Sequence, residues 1–209
     1  IYTVVPEFAL RLLAVVLARL TYRLRVTGQE HIPREGAALL VCNHVTFVDW
    51  LIIAAAAPRP PRFVMYWKLL RVPVIRWLLR DAKAIPIASA KENPAMLEDA
   101  MKRISDELRD GQLVCIFPEG KLTSDGEIDG FRSGVDRILA QDPVPVIPMA
   151  LNGMWGSWFS RERGRAVAKV PNRVWSKVSL TIADPMPASE VDSASLEQRV
   201  RSMWEQGAR

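Results

Sequence analysis

Histidine is scarce: the 209 residues hold two, His31 and His44. Cysteine is as rare, with Cys42 and Cys115 alone. Both cysteines lie inside apolar runs, where a thiol behaves as a small reduced hydrophobe rather than a disulfide partner or nucleophile. At these spacings the four residues make no conventional zinc site, and no metal is expected. A Gly-x-Ser-x-Gly turn is absent as well, which excludes the serine nucleophile of the α/β-hydrolases. Long hydrophobic runs are also missing. Within Phe8 to Leu24, interrupted by Arg11, Arg19 and Arg23, the longest uncharged stretch is Leu12 to Ala18. That is far short of the ~20 residues of a spanning helix. No small-residue cleavage site follows it, so a secretory leader is not expected. Internal repeats, low-complexity tracts and Gly/Ser linkers are lacking, so one domain is expected. At 49% hydrophobic residues, a chain of this length can bury a sizeable core.

What is present is positive charge. The chain carries a formal +5 and a pI near 9.5, which points to an anionic partner. No nucleic-acid motif or regular aromatic platform accompanies it, so no nucleic-acid partner is expected. An anionic lipid surface and a phosphate-bearing substrate fit better. Residues 1–24 are expected to form an amphipathic helix in the membrane interface, its arginines reaching headgroups. The alternative is a helix packed on the domain's own core. Residues 25–209 form the remaining domain. The first residue, Ile1, is compatible with a domain cut from a longer polypeptide.

Strand-like runs alternate with helical stretches, the pattern of a single α/β domain with a mixed, mostly parallel sheet flanked by helices. Strands are expected at 22–27, 37–42, 82–88, 112–117, 144–150 and 177–183. In the last, Val178, Leu180 and Ile182 alternate with polar residues, which suits a place near the sheet edge. A helix is expected from Pro94 to Arg109, with Asn93 as its cap, Leu97, Met101, Ile104 and Leu108 as its apolar stripe, and Gly111 just past its end. Asp49 to Ala57 is apolar nearly all round and stops at Pro58, which reads as a buried helix.

The most informative run is Asn43-His44-Val45-Thr46-Phe47-Val48-Asp49, answered by Phe117-Pro118-Glu119-Gly120. An alcohol is a poor nucleophile at neutral pH, and a histidine held by a carboxylate can take its proton. On an ideal helix His44 and Asp49 would stand about 140° apart and could not meet. His44 is therefore expected in the turn after strand 37–42, with Asp49 opening the next helix and reaching back. Phe117-Pro118-Glu119-Gly120 also follows a strand. Both motifs then sit at carboxyl ends of strands, where open α/β sheets carry their sites.

These two motifs resemble those of the glycerolipid acyltransferases, which esterify glycerol-3-phosphate, lysophosphatidate and lysophospholipids. The resemblance extends from about Leu24 to Ala183. It implies an O-acyltransferase in phospholipid biosynthesis or remodelling, with His44 and Asp49 as the catalytic pair and the substrate supplying the attacking oxygen. The implied donor is acyl-CoA or acyl-carrier protein, the acceptor 1-acylglycerol-3-phosphate or another lysophospholipid, and no cofactor is needed. The implied location is a membrane surface, at the cytoplasmic face of the inner membrane. A non-catalytic membrane-binding module of the same fold is the alternative. Asn43 belongs to the first motif and shapes its turn. Phe117, Pro118, Glu119 and Gly120 match a block that binds the acceptor's glycerol and phosphate region. There Glu119 would accept from a glycerol hydroxyl or position a cation, and Gly120 would let backbone approach the ligand.

This chain departs from the family in two places. Lys121-Leu122-Thr123 stands where the family has Thr-Arg-Ser, and the strand around Ile85–Ile87 continues into Ser89 instead of ending in arginine. Lys121, Arg132 and Lys91 are the candidates to supply the missing positive charge, and each could equally be a solvated surface residue. Val146-Ile147-Pro148-Met149 matches the family's apolar-Pro strand. Two aromatic-basic stretches remain. One spans 62–80, with Phe63, Tyr66, Trp67 and Trp77 among arginines and lysines; it suits a membrane interface. The other joins Trp155, Trp158 and Phe159 to Arg161, Arg163 and Arg165, and its role stays open between acyl tunnel, bilayer and core. Asn152-Gly153-Met154-Trp155 loosely resembles acyltransferase domains fused behind membrane transporters that handle lysophospholipids.

Overall fold

The computed structural model describes residues 7–71, 76, 82–157, 159–160 and 175–207. Seven strands form one sheet: β1 (Arg23–Thr27), β2 (Ala38–Cys42), β3 (Arg62–Tyr66), β4 (Ile85–Ile87), β5 (Leu113–Ile116), β6 (Val146–Asn152) and β7 (Lys177–Ile182). Their spatial order is β1-β7-β6-β2-β5-β3-β4, with β6 and β7 antiparallel and every other pair parallel. The helices are α1 (Glu7–Thr21), α2 (Asp49–Ala56), α3 (Pro94–Arg109), α4 (Gly134–Gln141) and α5 (Ser193–Gly207).

The strand period of two divides the core into two layers. Leu40, Cys42, Cys115 and Met149 join α1 and α2 on one face, while Leu39, Val41, Val114 and Ile116 join α3 and α4 on the other. Central strands coated on both faces read as continuous apolar runs, which is why β2 and β5 are buried throughout. The cysteines lie inside this core as free thiols. Burial pushes both thiols up from their ordinary range, so neither is a thiolate nucleophile.

Most expected elements are found, with instructive differences. Asn93 caps α3 by accepting from the Met96 amide at 3.0 Å, and Pro94 occupies the first turn. β4 is shorter than expected. It is the outermost strand on its side, a position that suits Pro86, which has no amide to donate. β7 lies next to the opposite edge strand, β1, and its alternating burial fits the expected place near the sheet edge. β3 was hidden inside the aromatic-basic stretch. Arg62 and Phe63 are interior, with Arg62 bonded to Glu107 at 3.1 Å, so this part of the stretch is sheet and not interface. Trp77, Arg80, Trp158, Arg161, Arg163 and Arg165 lie outside the described residues. The helix α5 was unassigned from sequence, although Leu196, Val200 and Met203 mark its buried stripe.

The amino-terminal helix packs one side on the domain's own core. Ala18 on α1 and the adjoining Tyr22 are buried in the core shared with α2. Leu12, Val16, Leu17 and Leu20 remain exposed on another side of α1. Arg23 and Leu24 belong to β1 rather than to the helix.

Candidate active site

Strand register brings the two motifs together. Val41 of β2 pairs with Ile116 of β5, so Asn43 and Phe117 leave the sheet side by side. On the other flank Cys42 pairs with Met149 of β6, which runs on beyond the end of β2. Asn43 bridges that overhang: its amide nitrogen donates to the Leu151 carbonyl at 3.0 Å and its oxygen accepts from the Leu151 amide at 2.7 Å. The side chain thus continues the ladder where the backbone turns away.

After Asn43 the chain turns tightly and enters α2. His44 Nδ1 lies 3.0 Å from Asp49 Oδ2. The same oxygen accepts the amides of Val45 and Thr46, at 2.6 and 2.9 Å, and Oδ1 accepts the Thr46 hydroxyl at 2.5 Å. Asp49 is completely buried in the first turn of α2, with its oxygens taken up by the amide and hydroxyl donors of the turn before it. Thr46 was not singled out from sequence. The pattern Thr-x-x-Asp ahead of an apolar run is a capping-box signature and would have found it.

The second motif grips His44. Phe117 stacks on the imidazole with ring centroids 4.1 Å apart and planes 19° from parallel. Glu119 accepts the His44 amide at 2.6 Å, and Thr123 donates its own amide to the His44 carbonyl at 3.1 Å. The other oxygen of Glu119 accepts the Asp129 amide at 3.0 Å. With 1% of its surface exposed, Glu119 braces the histidine turn and its own loop. These partners differ from the glycerol hydroxyl and the cation that the sequence reading assigned to it. Burial pushes its carboxyl up to about 7, against the pull of the two amides.

Beyond Glu119 the loop exposes Gly120 and Lys121, while Leu122, Thr123 and Ile128 stay buried. Gly120 adopts φ +66°, in the left-handed region. Pro118 is buried and its carbonyl accepts the Arg132 amide at 3.0 Å. Lys121 pairs with Asp129 at 3.0 Å. Gly126, at φ +96°, lies under the Trp155 indole, which a side chain there would strike. The backbone of Thr46 bridges Ser160, so the segment carrying Trp155 and Phe159 borders the histidine turn. Lys91 lies in the turn before α3, next to the edge strand β4, with β3 separating that strand from β5. Among the described residues, no group of three or more His, Cys, Asp or Glu side chains is placed to hold a metal ion.

A base held by a buried carboxylate at the carboxyl ends of adjacent parallel strands is the setting for proton abstraction from an alcohol. Residues 23–152, more than half of the chain, match the Acyltransferase family model. The chain belongs to the acyltransferase family. It is 27% identical over 133 residues to a chloroplastic 1-acyl-sn-glycerol-3-phosphate acyltransferase of Arabidopsis thaliana, a match covering 63% of this chain and 36% of that protein. The chain thus spans little more than a third of the chloroplastic relatives it matches. It is 28% identical over 196 residues to the 1-acyl-sn-glycerol-3-phosphate acyltransferase of Pseudomonas aeruginosa, covering 84% of this chain and 74% of that one. The crystal structure of the 1-acyl-sn-glycerophosphate acyltransferase PlsC from Thermotoga maritima superimposes with a TM-score of 0.76. That alignment covers 97% of this chain and 80% of the other at 20% identity, and it establishes the common fold.

Proposed function

We propose that this acyltransferase moves a fatty acyl group from a thioester donor, acyl-CoA or acyl-carrier protein, to the free hydroxyl of 1-acylglycerol-3-phosphate. The observation that carries the reading is the 3.0 Å contact between His44 Nδ1 and a buried Asp49, whose oxygens also take two backbone amides and a hydroxyl. With Nδ1 committed to Asp49, Nε2 is left to act as the base. The acceptor hydroxyl gives its proton to Nε2 as its oxygen bonds to the thioester carbonyl carbon. The tetrahedral intermediate then breaks its carbon–sulfur bond, and the departing thiolate takes the proton back from the imidazolium. The products are an ester and a free thiol, and His44 returns to its starting state. Asp49 holds the tautomer and stabilises the transient cation, Phe117 fixes the ring plane, and Glu119 and Asn43 hold the turn. The acceptor class is supported by the names of the relatives, and lysophospholipids with larger headgroups are its competitors in the test.

The same reading places the protein at a membrane surface. No described helix is long and apolar enough to cross a membrane. The exposed Leu12, Val16, Leu17 and Leu20 on α1, with Arg19 beside them, support an interfacial attachment in which apolar side chains enter the acyl boundary and cations meet anionic headgroups. The deciding experiment gives the purified protein a labelled acyl thioester and a panel of lyso-acceptors, and identifies products by headgroup. Ester formation on 1-acylglycerol-3-phosphate is the expected result. Vesicle binding without turnover on any acceptor would instead identify a membrane-binding module.

A further inference from the structure

We propose that Arg132 is the residue that seats the acceptor's phosphate, replacing the arginines this chain lacks after Ala88 and after Gly120. The assignment rests on the acyl-transfer reading above. A phosphate monoester carries close to two negative charges, and it requires a fixed cation or several converging donors. Three cations compete for that place. Lys91 belongs to the turn beside the edge strand β4, which β3 separates from β5, away from the two motif loops. Lys121 directly follows the motif in sequence, but its ammonium is compensated by Asp129 at 3.0 Å and also feels Asp125.

Arg132 is distant in sequence and adjacent in space. Its backbone amide is tied to the Pro118 carbonyl at 3.0 Å, which fixes where its side chain starts. Its guanidinium lies against Gly120. A Cβ placed on Gly120 would stand 3.0 Å from Arg132 Cζ and Nε and 3.1 Å from Nη1. The glycine therefore does more than turn the chain: its missing side chain is the space the guanidinium occupies. Among the described residues that guanidinium makes no ion pair or hydrogen bond, and the side chain is exposed. A planar group with five donors, held flat on the motif turn and not neutralised, matches bidentate phosphate geometry; a neutralised lysine beside it does not. The turn beneath it is the one whose Glu119 and Phe117 hold His44. A phosphate on Arg132 thus tethers the acceptor to the loop that carries the base.

The test is steady-state kinetics on R132Q, R132K and K121M, with K102Q as a control that removes an equal charge from the exposed surface of α3. Acceptor and donor are varied in turn. The acceptor is a short-chain 1-acylglycerol-3-phosphate in vesicle-free solution, with glycerol-3-phosphate as competing inhibitor and uncharged 1-acylglycerol as the acceptor lacking phosphate. R132Q is expected to raise the phosphate acceptor's KM by about 10- to 100-fold, the range for one charge-assisted contact. It should weaken glycerol-3-phosphate inhibition by a similar factor and leave the donor KM and the 1-acylglycerol reaction within about twofold. R132K should recover part of the loss, and K102Q should match the wild type. An unchanged acceptor KM in R132Q overturns the assignment, as does an equal rise in K121M, a parallel loss with 1-acylglycerol, or a defect seen only with vesicles present. Wild-type protein that turns over no acceptor removes the acyl-transfer reading, and this assignment with it. Wild-type turnover with an indifferent R132Q removes Arg132 alone.

Discussion

Two loops leave neighbouring strands of the sheet, and they are built on opposite principles. The turn after β2 is closed: Asn43, Thr46 and Asp49 are buried, and each has its polar atoms bonded within the protein. The loop after β5 begins equally closed, with Pro118 and Glu119 buried, and between buried Leu122, Thr123 and Ile128 it then exposes charge at Lys121 and Arg132. In the proposed reaction the first holds the base, whose orientation must not vary, because proton transfer depends on tenths of an ångström. In the proposed reaction the second meets a charged acceptor that arrives and leaves, through the exposed Arg132. On that reading rigidity sits where a bond is made, and solvent access sits where a substrate is recognised.

The largest expected effect separates the two loops most sharply. His44→Ala should lower kcat by about 10²–10⁴ with the fold retained, the range for loss of a positioned base. Rapid-quench or steady-state rates, with circular dichroism as the check on folding, would measure it. Near-wild-type turnover by a folded His44→Ala protein would remove the base from the closed turn.

A second substitution tests how far the closed part extends. Glu119→Gln exchanges one acceptor for a donor, so one of the amides of His44 and Asp129 loses its partner. A loss of about 1–3 kcal/mol of stability is expected, since an orphaned buried amide costs about that much. The loss should come with a fall in kcat while the acceptor KM holds. The pH dependence has a definite sign. Because burial raises the Glu119 carboxyl from 4.5 to about 7, the native state binds more protons than the unfolded chain between those values. Its contribution to stability is therefore whole below 4.5 and declines as pH rises through about 7. Glutamine does not titrate, so the stability gap between wild type and variant should narrow over that window. Denaturant unfolding at pH 5 and pH 8 would show it, and a gap that widens would contradict the burial argument.

The smallest effect lies outside both loops. Leu12→Ser with Leu20→Ser should leave stability within about 0.5 kcal/mol, as for exposed positions. Partitioning onto vesicles containing anionic lipid should fall about tenfold. Unchanged partitioning would detach α1 from the membrane and leave its packing on α2 as its only role.

The site was half legible in the sequence. The spacing of His44 and Asp49, taken with the impossibility of their meeting on one helix, correctly located the turn and the start of α2. Alternation and capping did the same for β2, β5 and α3. The strand β3 was missed because Arg62, a charged side chain, is buried there, and partners from other elements, Glu107 and Gln112 among them, make that tolerable. The brace from Glu119 to His44 spans 75 residues and leaves no local pattern.

By itself the sequence determined the α/β alternation and the pairing of His44 with Asp49, because each depends on residue type and short spacing. Tertiary structure alone decided which strands are neighbours and what Glu119 holds. It also decided which cation lies over Gly120 with no ion-pair partner among the described residues. Proximity in sequence favours Lys121, yet Asp129 neutralises it, while the fold of the 118–132 loop lays Arg132 on the motif turn. Charge compensation and burial are properties of neighbours in space, and a linear chain does not display them.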